Sequence, residues 1–464
     1  MVNLRALRDG LLPNQFESRG RDRLRRAGIS GATSMLSQGL SIATGLISVP
    51  LTVKYLGQER YGIWLTINSL LMWLAISNLG FGGNALINSL AEANGKDDRA
   101  LARELVATAF WSLVGIAATL VVLFALAFPF ISWSAVFNAP SSVPTTELRW
   151  AVMLSVACFV LMFPISIVDA VYQSYQRGYI GNIWAMAASI LSLAALIGVT
   201  RMEGGLPLLV LALSGVRIVV TLANAGYLFV RQYPWLMPAP RAVTRRSLGR
   251  LMSLGLKYLV AQLAGIGMFQ SQPMIITQIL GPAQVGIFNV TQRLLTLPLN
   301  VVQMFTFPLM PAYGEARARN DWPWIRRTLR HSLVASLAVT VCLATPLMFF
   351  VKPIVRAWVG PAMIPENALI LNMGLYVLIA GVVTPASVAL YGLERVGGQA
   401  VIATANALVT VILGIWLTRT VGLSGIAGSM AFALFGVNLI GQALQIRRAF
   451  NVERAEALGR LASP

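Results

Sequence analysis

Charge is scarce in this chain: 11% of its 464 residues are Asp, Glu, Lys or Arg, against 56% apolar residues and a mean hydropathy of +0.70. A soluble globular domain carries about 25% charged residues, so that class is excluded. His331 is the single histidine, and it sits at the start of an apolar run. With a single histidine and no Cys/His cluster, the sequence offers no metal-ligand cluster and no Ser-His-Asp set to argue from. The two cysteines, Cys158 and Cys342, both fall inside long apolar runs, where small core residues are expected rather than a disulfide. No Gly-Lys-Ser/Thr phosphate loop is present, which speaks against ATP hydrolysis by this chain. Acids are the scarcest charge, 17 against 36 Lys and Arg, leaving a formal net charge of +19.

What the chain has is apolar length. A bilayer core of about 30 Å needs roughly 18 or more mostly apolar helical residues. Twelve such stretches occur, near residues 31–53, 62–88, 106–131, 149–173, 183–200, 205–230, 251–279, 285–309, 331–351, 367–391, 399–417 and 422–444. Threading them from an inside N-terminus puts 26 Lys and Arg in cytoplasmic segments, seven outside, and leaves Arg217, Lys257 and Arg293 within spans. This is the positive-inside pattern, with both termini cytoplasmic. The basic character is therefore a topology signal, and no nucleic acid is expected as partner. Residues 1–28 hold seven Arg and no apolar core of a signal peptide, so they read as a cytosolic basic segment.

The spans are duplicated. Leu56-Gly57, Gly62-Ile63-Trp64 and Leu70-Leu71 return 224 residues later as Leu280-Gly281, Gly286-Ile287-Phe288 and Leu294-Leu295. Glu92-Ala93, Asp98 and Arg103 return as Glu315-Ala316, Asp321 and Arg326; Pro164 pairs with Pro385, Gln176-Arg177 with Glu394-Arg395, and Thr200-Arg201 with Thr418-Arg419. An even span number per copy gives both copies one orientation, a parallel repeat of the kind found in secondary transporters. The sequence thus predicts an all-α integral membrane protein of 12 transmembrane helices in two parallel six-helix lobes. Its segments are a cytosolic basic start (1–28), an N-lobe (29–231), a basic cytosolic linker (232–250), a C-lobe (251–446) and a cytosolic tail (447–464). The longest outside loop, about 132–148, is too short for a soluble catalytic domain, which disfavours a membrane polymerase or ligase.

Val49-Pro50-Leu51, Tyr55 to Trp64 and Asn78-Leu79-Gly80-Phe81-Gly82 resemble the opening of the Wzx-type polysaccharide flippases. These O-antigen and lipid-linked oligosaccharide flippases belong to the MATE/MOP superfamily, with the peptidoglycan-precursor flippases and the MATE drug exporters. Where that family usually has Asp before the Leu-Gly of the second span, this chain has Asn78, one charge fewer. The resemblance implies a bacterial inner-membrane protein and export of undecaprenyl-diphosphate-linked oligosaccharide to the outer leaflet. It further implies alternating access of two lobes around a cationic cavity, and no cofactor beyond a coupling ion, H+ or Na+. Membrane lipids, a polysaccharide polymerase and other assembly proteins are the implied partners.

A sugar diphosphate needs a wet, polar path, so polar residues at helical spacing are the candidates. In span eight Asn289, Arg293, Thr296, Asn300 and Gln303 form one expected face. Span one offers Ser34, Gln38, Ser41, Gly45, Ser48 and Thr52, equally a seam where small residues let helices approach. Span six offers Ser214, Arg217, Thr221 and Asn224, and span four Asp169, Tyr172, Gln173 and Gln176. A guanidinium inside a span should face water or protein, and a diphosphate can accept it bidentately; snorkelling or a carboxylate partner is the alternative. Lys257 extends a cationic track or snorkels. Asp169 is the deep acid, either an ion-coupling group or a salt-bridge partner of Arg217. The candidate substrate-binding residues are therefore Arg293, Asn289, Thr296, Asn300, Lys257, Arg217, Gln38 and Asn78. A MATE-like cation exporter is the rival reading, but the embedded charges are three positive to one negative. Pro164, Pro298, Pro308 and Pro385 are expected to interrupt their helices.

Overall fold

The computed structural model describes residues 11–202 and 205–462, with side chains left undescribed for 11–28, 257, 258, 260, 261, 264, 396 and 452–462. Those residues are almost wholly helical, with no strand among them. Among the described residues nine helices are long and apolar enough to cross a membrane, or ten if the bent pair Pro282–Leu295 and Leu297–Ala318 is one span. Predicted spans one and two fall in one of these helices. Ile29–Asn78 runs for 50 residues, about 75 Å at 1.5 Å per residue. Gly57 divides it with φ 75° and ψ 173°, a region essentially reserved for glycine. It therefore holds predicted spans one and two. Predicted span seven lies within the helix Arg245–Leu280, several of whose side chains fall outside the described residues.

Backbone geometry carries the duplication further than the sequence does. Left-handed residues recur in pairs: Gly57 with Gly281, Asp97 with Asn320, Asn138 with Gly360, Gln176 with Glu394, Gly205 with Gly422. The separation shrinks along the chain, as short deletions in the second copy require. Asp98 and Asp321 have matching jobs. Each caps a helix, accepting the backbone N–H of Leu101 at 2.9 Å and of Trp324 at 3.1 Å respectively. Glu92 pairs with Lys96 and Glu315 with Arg319, each at i,i+4. Hydrogen bonding from Lys96, reinforced by the charge of Arg250, holds the exposed Glu92 carboxyl below its ordinary range. Replacing either capping Asp by Ala is expected to cost about 1 kcal/mol. The two variants should depress the thermal midpoint of the detergent-solubilised protein similarly; a large effect at one site alone would contradict their equivalence.

Where the copies differ, the cause is a break in the helix. After Ala75–Asn78 the chain unwinds, with Leu79 and Gly80 left-handed, whereas the second copy stays helical there and bends by 43° around Thr296. Of the prolines expected to interrupt, Pro164 precedes a break at Ser166, Pro298 begins the helix after Thr296, and Pro308 caps Leu309–Ala318. Pro385 instead lies inside the uninterrupted Asn367–Gly392. That helix is closely surrounded by its neighbours, which hold it helical despite the missing donor.

The chain clusters into two compact units that do not follow the sequence halves. The first comprises Met1–Leu51, Ser77–Pro129 and Met153–Tyr258, the second Thr52–Ile76, Phe130–Val152 and Leu259–Pro464. In the first, Asn84–Gly95 packs on Ile167–Ser174 with Leu86, Leu90, Val171 and Tyr172 wholly buried. Gly255 lies so close to the Leu79 carbonyl that no side chain fits between them. In the second, Asn367–Gly392 is the central helix, packed by Trp322–Val359 and Leu423–Ala433. Both copies of the repeated signature lie in this unit and meet there. Gly62 abuts the Pro282 carbonyl, and an added carbon on Gly286 would sit 3.1 Å from Tyr61 and Met363. Thr66 and Thr277, both fully buried, share a 2.6 Å hydrogen bond. Small residues at these crossings are what membrane packing needs, because lipid supplies no hydrophobic drive for helix association. The loop around residues 132–148 is anchored in the same unit: Arg60 donates from Nε to Glu147 at 3.0 Å, and Asn138 donates to the Thr277 carbonyl at 3.2 Å. Cys158 is buried, whereas Cys342 is exposed on Trp322–Val359.

Candidate functional site

The candidates fall into two sets. In the second unit, Asn289 and Arg293 lie one turn apart on Pro282–Leu295, a helix started by Pro282 after the left-handed Gly281. Arg293 is half-buried. Among the described residues it has no carboxylate within 4.0 Å. The group that acts on it is the phenol of Tyr61, which is also 3.4 Å from the Asn289 amide oxygen. The expected continuous polar face ends at Thr296. There the helix bends, the Thr296 hydroxyl donates back to the Gln292 carbonyl at 2.8 Å, and Asn300 and Gln303 continue on the tilted segment. Threonine bonding to its own preceding turn commonly accompanies such bends.

In the first unit, Arg217 lines a cavity of about 280 Å³ with Ser41, Thr44, Gly45 and Ser48 on one side and Ser189 and Ser192 on another. It follows a π-helical turn, Leu211–Gly215, a local widening often found at functional sites. Several hydroxyls facing this space donate to backbone carbonyls: Ser48 to Gly45 and Ser189 to Ala185 within their own helices, and Ser192 to Leu213 of the π-helical turn at 3.4 Å. Asp169, on Ile167–Ser174, presses on Gly181, where an added carbon would lie 3.2 Å from its carboxylate. Arg217 acts on Asp169 electrostatically without forming an ion pair. Next to it, Tyr172 donates to Asn224 at 2.9 Å in a buried bond.

Three candidates stand apart from these sets. Gln38, one turn before Ser41, is exposed. Asn78 uses its amide oxygen to accept the Gly82 N–H at 2.9 Å, closing the unwound turn. A carboxylate could accept that same bond, so Asn in place of Asp changes the charge and keeps the turn. Lys257 lies in Arg245–Leu280, but its side chain is outside the described residues. Sequence reasoning missed Tyr61 as a neighbour of Arg293 and missed Ser189 and Ser192. The latter two carried a signal, a three-residue spacing in span five.

Helices arranged in this way define a class. The fold matches an inward-facing multidrug-resistance MATE-family transporter of the MOP superfamily, with TM-score 0.75 and 14% identity over 92% of this chain and 99% of that one. It also matches the lipid II flippase MurJ in an inward closed conformation, with TM-score 0.69 and 14% identity over 89% and 87%. A third match is a MOP-superfamily transporter from Pyrococcus furiosus described by the reverse polarity of its binding pocket, with TM-score 0.60 and 15% identity over 93% and 96%. The chain thus has the MATE/MOP fold of polytopic transporters and flippases. Residues 30–317 match the polysaccharide biosynthesis protein family, and the chain belongs to that family. No curated protein matches it.

Proposed function

We propose that this protein flips undecaprenyl-diphosphate-linked oligosaccharide from the cytoplasmic to the outer leaflet of a bacterial inner membrane, both termini being cytoplasmic. Arg293 carries the reading: a cation half-buried in a span, with no carboxylate beside it among the described residues, in a member of the polysaccharide biosynthesis family. An unpaired guanidinium at that depth calls for an anionic guest, and a diphosphate offers two phosphates for bidentate bonding. Asn289 and Asn300 supply uncharged donors and acceptors suited to sugar hydroxyls. Arg217, lining a cavity of serine and threonine oxygens in the first unit, is a separate candidate anion contact. Asp169 is the proposed ion-coupling group, for H+ or Na+.

The test is flipping by the purified protein in vesicles, read by an impermeant reagent that reaches only outward-exposed lipid-linked sugar. An imposed proton or sodium gradient should raise the rate. Asp169→Asn should abolish the gradient response while leaving slow, gradient-independent exchange. Transport of organic cations without any lipid-linked sugar would overturn the reading, and gradient-driven flipping by Asp169→Asn would remove Asp169 from it.

A further inference from the structure

A second cavity, of about 640 Å³, lies in the first unit, away from the candidates above. Its walls are the first turns of Arg99–Ala127 and the segment after Tyr227–Gln232, with Arg99, Arg103, Pro234, Trp235, Met237 and Pro240 lining it. Arg99 and Arg103 are one turn apart, and the Arg99 guanidinium stands 5.6 Å from the centre of the Trp235 ring. Neither arginine forms an ion pair among the described residues. The nearby acids are engaged or turned elsewhere: Asp98 caps its helix, Glu104 accepts the hydroxyls of Thr244 and Ser247, and Asp97 sits exposed in the preceding turn.

The cavity is also preformed. Trp111 donates its indole N–H to the Pro238 carbonyl at 3.3 Å, the Thr244 N–H donates to the Thr108 hydroxyl at 3.3 Å, and Leu236 is wholly buried. Its depth is set by the helix it adjoins. Arg99–Phe130 is among the most apolar spans, with a mean hydropathy of 2.5, and its arginines stand at the start. That is headgroup level on the side the charge pattern assigns to the cytosol. The geometry points to a resident site for an anionic phospholipid, Arg99 and Arg103 binding the phosphodiester and Trp235, Pro234 and the exposed Met237 meeting the glycerol and upper acyl chain. A free phosphate shares the first contact but leaves the apolar half of the lining unused.

The test is native mass spectrometry of the full-length protein in detergent supplemented with phosphatidylglycerol or phosphatidylcholine. The wild type should retain phosphatidylglycerol preferentially, and R99Q/R103Q should retain about tenfold less or lower still, each Arg near an anionic headgroup counting for about fivefold. R99K/R103K keeps both charges but loses the stacking on Trp235 and side-by-side phosphate bonding, so its retention should fall between wild type and R99Q/R103Q, which separates charge from misfolding. Undiminished retention by R99Q/R103Q would overturn the site. So would displacement of the lipid by glycerol 3-phosphate at equal concentration, which would mark it as a free-anion site.

Discussion

Arg293→Ala should nearly abolish export while leaving the protein in the membrane at its normal level. Truncating one partner of a desolvated, hydrogen-bonded charge pair costs about 2–5 kcal/mol, or roughly 30-fold and upward in a rate limited by that contact. The expected phenotype is loss of surface glycan with lipid-linked oligosaccharide accumulating on the cytoplasmic leaflet, measured at matched protein abundance. Arg293→Lys should recover only part of the activity, because an ammonium is a point charge and cannot bond two phosphate oxygens side by side. If Arg293 merely anchored its helix, Lys would restore export fully and Ala would lower the amount of protein rather than its turnover. Undiminished export by Arg293→Ala would remove the diphosphate cradle from the proposal.

The duplication explains why this residue is singled out. Polar residues that recur in both copies do structural work: Asp98 and Asp321 cap helices, Glu92 and Glu315 bond within a turn, and Gln176 and Glu394 take left-handed turns. Charges within the spans do not recur. Arg293 has Ser69 as its counterpart at the 224-residue offset, and Ser69 bonds to its own helix at the Thr66 carbonyl. A repeat preserves what any six-helix unit needs to fold. On the proposed reading a substrate carrying one diphosphate imposes no such demand twice, which is why a charge without a counterpart in the other copy is the one to test.

That logic also separates what the sequence could reveal from what it could not. Spans, repeat and turn positions were readable because each depends on local residue chemistry: apolar length, glycine where φ is positive, a short acid at a helix start. The bend at Thr296 was half readable, since Pro298 announced an interruption but not its angle. Pro385 misled because its helix is held by neighbours distant in sequence. The approach of Tyr61 to Arg293 spans 232 residues and leaves no periodic trace. The polarity of Asn78 was visible in the sequence, while the turn in which its amide oxygen takes part was not.

Gly62→Ala should be among the most destabilising single-methyl changes available in this chain. The new carbon would overlap the Pro282 carbonyl, and both partners are backbone, so neither can swing aside as a long side chain would. The helices must separate, loosening the contact of Gly286 with Tyr61 and stretching the buried Thr66–Thr277 hydrogen bond. Overpacking of this kind costs about 3 kcal/mol or more when the backbone cannot yield. Gly57→Ala has open space around it and a different penalty, about 1–3 kcal/mol for forcing a side chain into a glycine-only region of φ and ψ. Gly39→Ala, in regular helix with nothing within 4 Å, should be neutral or slightly stabilising. Thermal midpoints of the three purified variants in one detergent should therefore rank Gly39→Ala above Gly57→Ala above Gly62→Ala. Because Tyr61 is the neighbour of Arg293, Gly62→Ala should also lower export per folded molecule. A Gly62→Ala protein as stable as Gly39→Ala would mean that the two copies of the signature do not meet in the membrane.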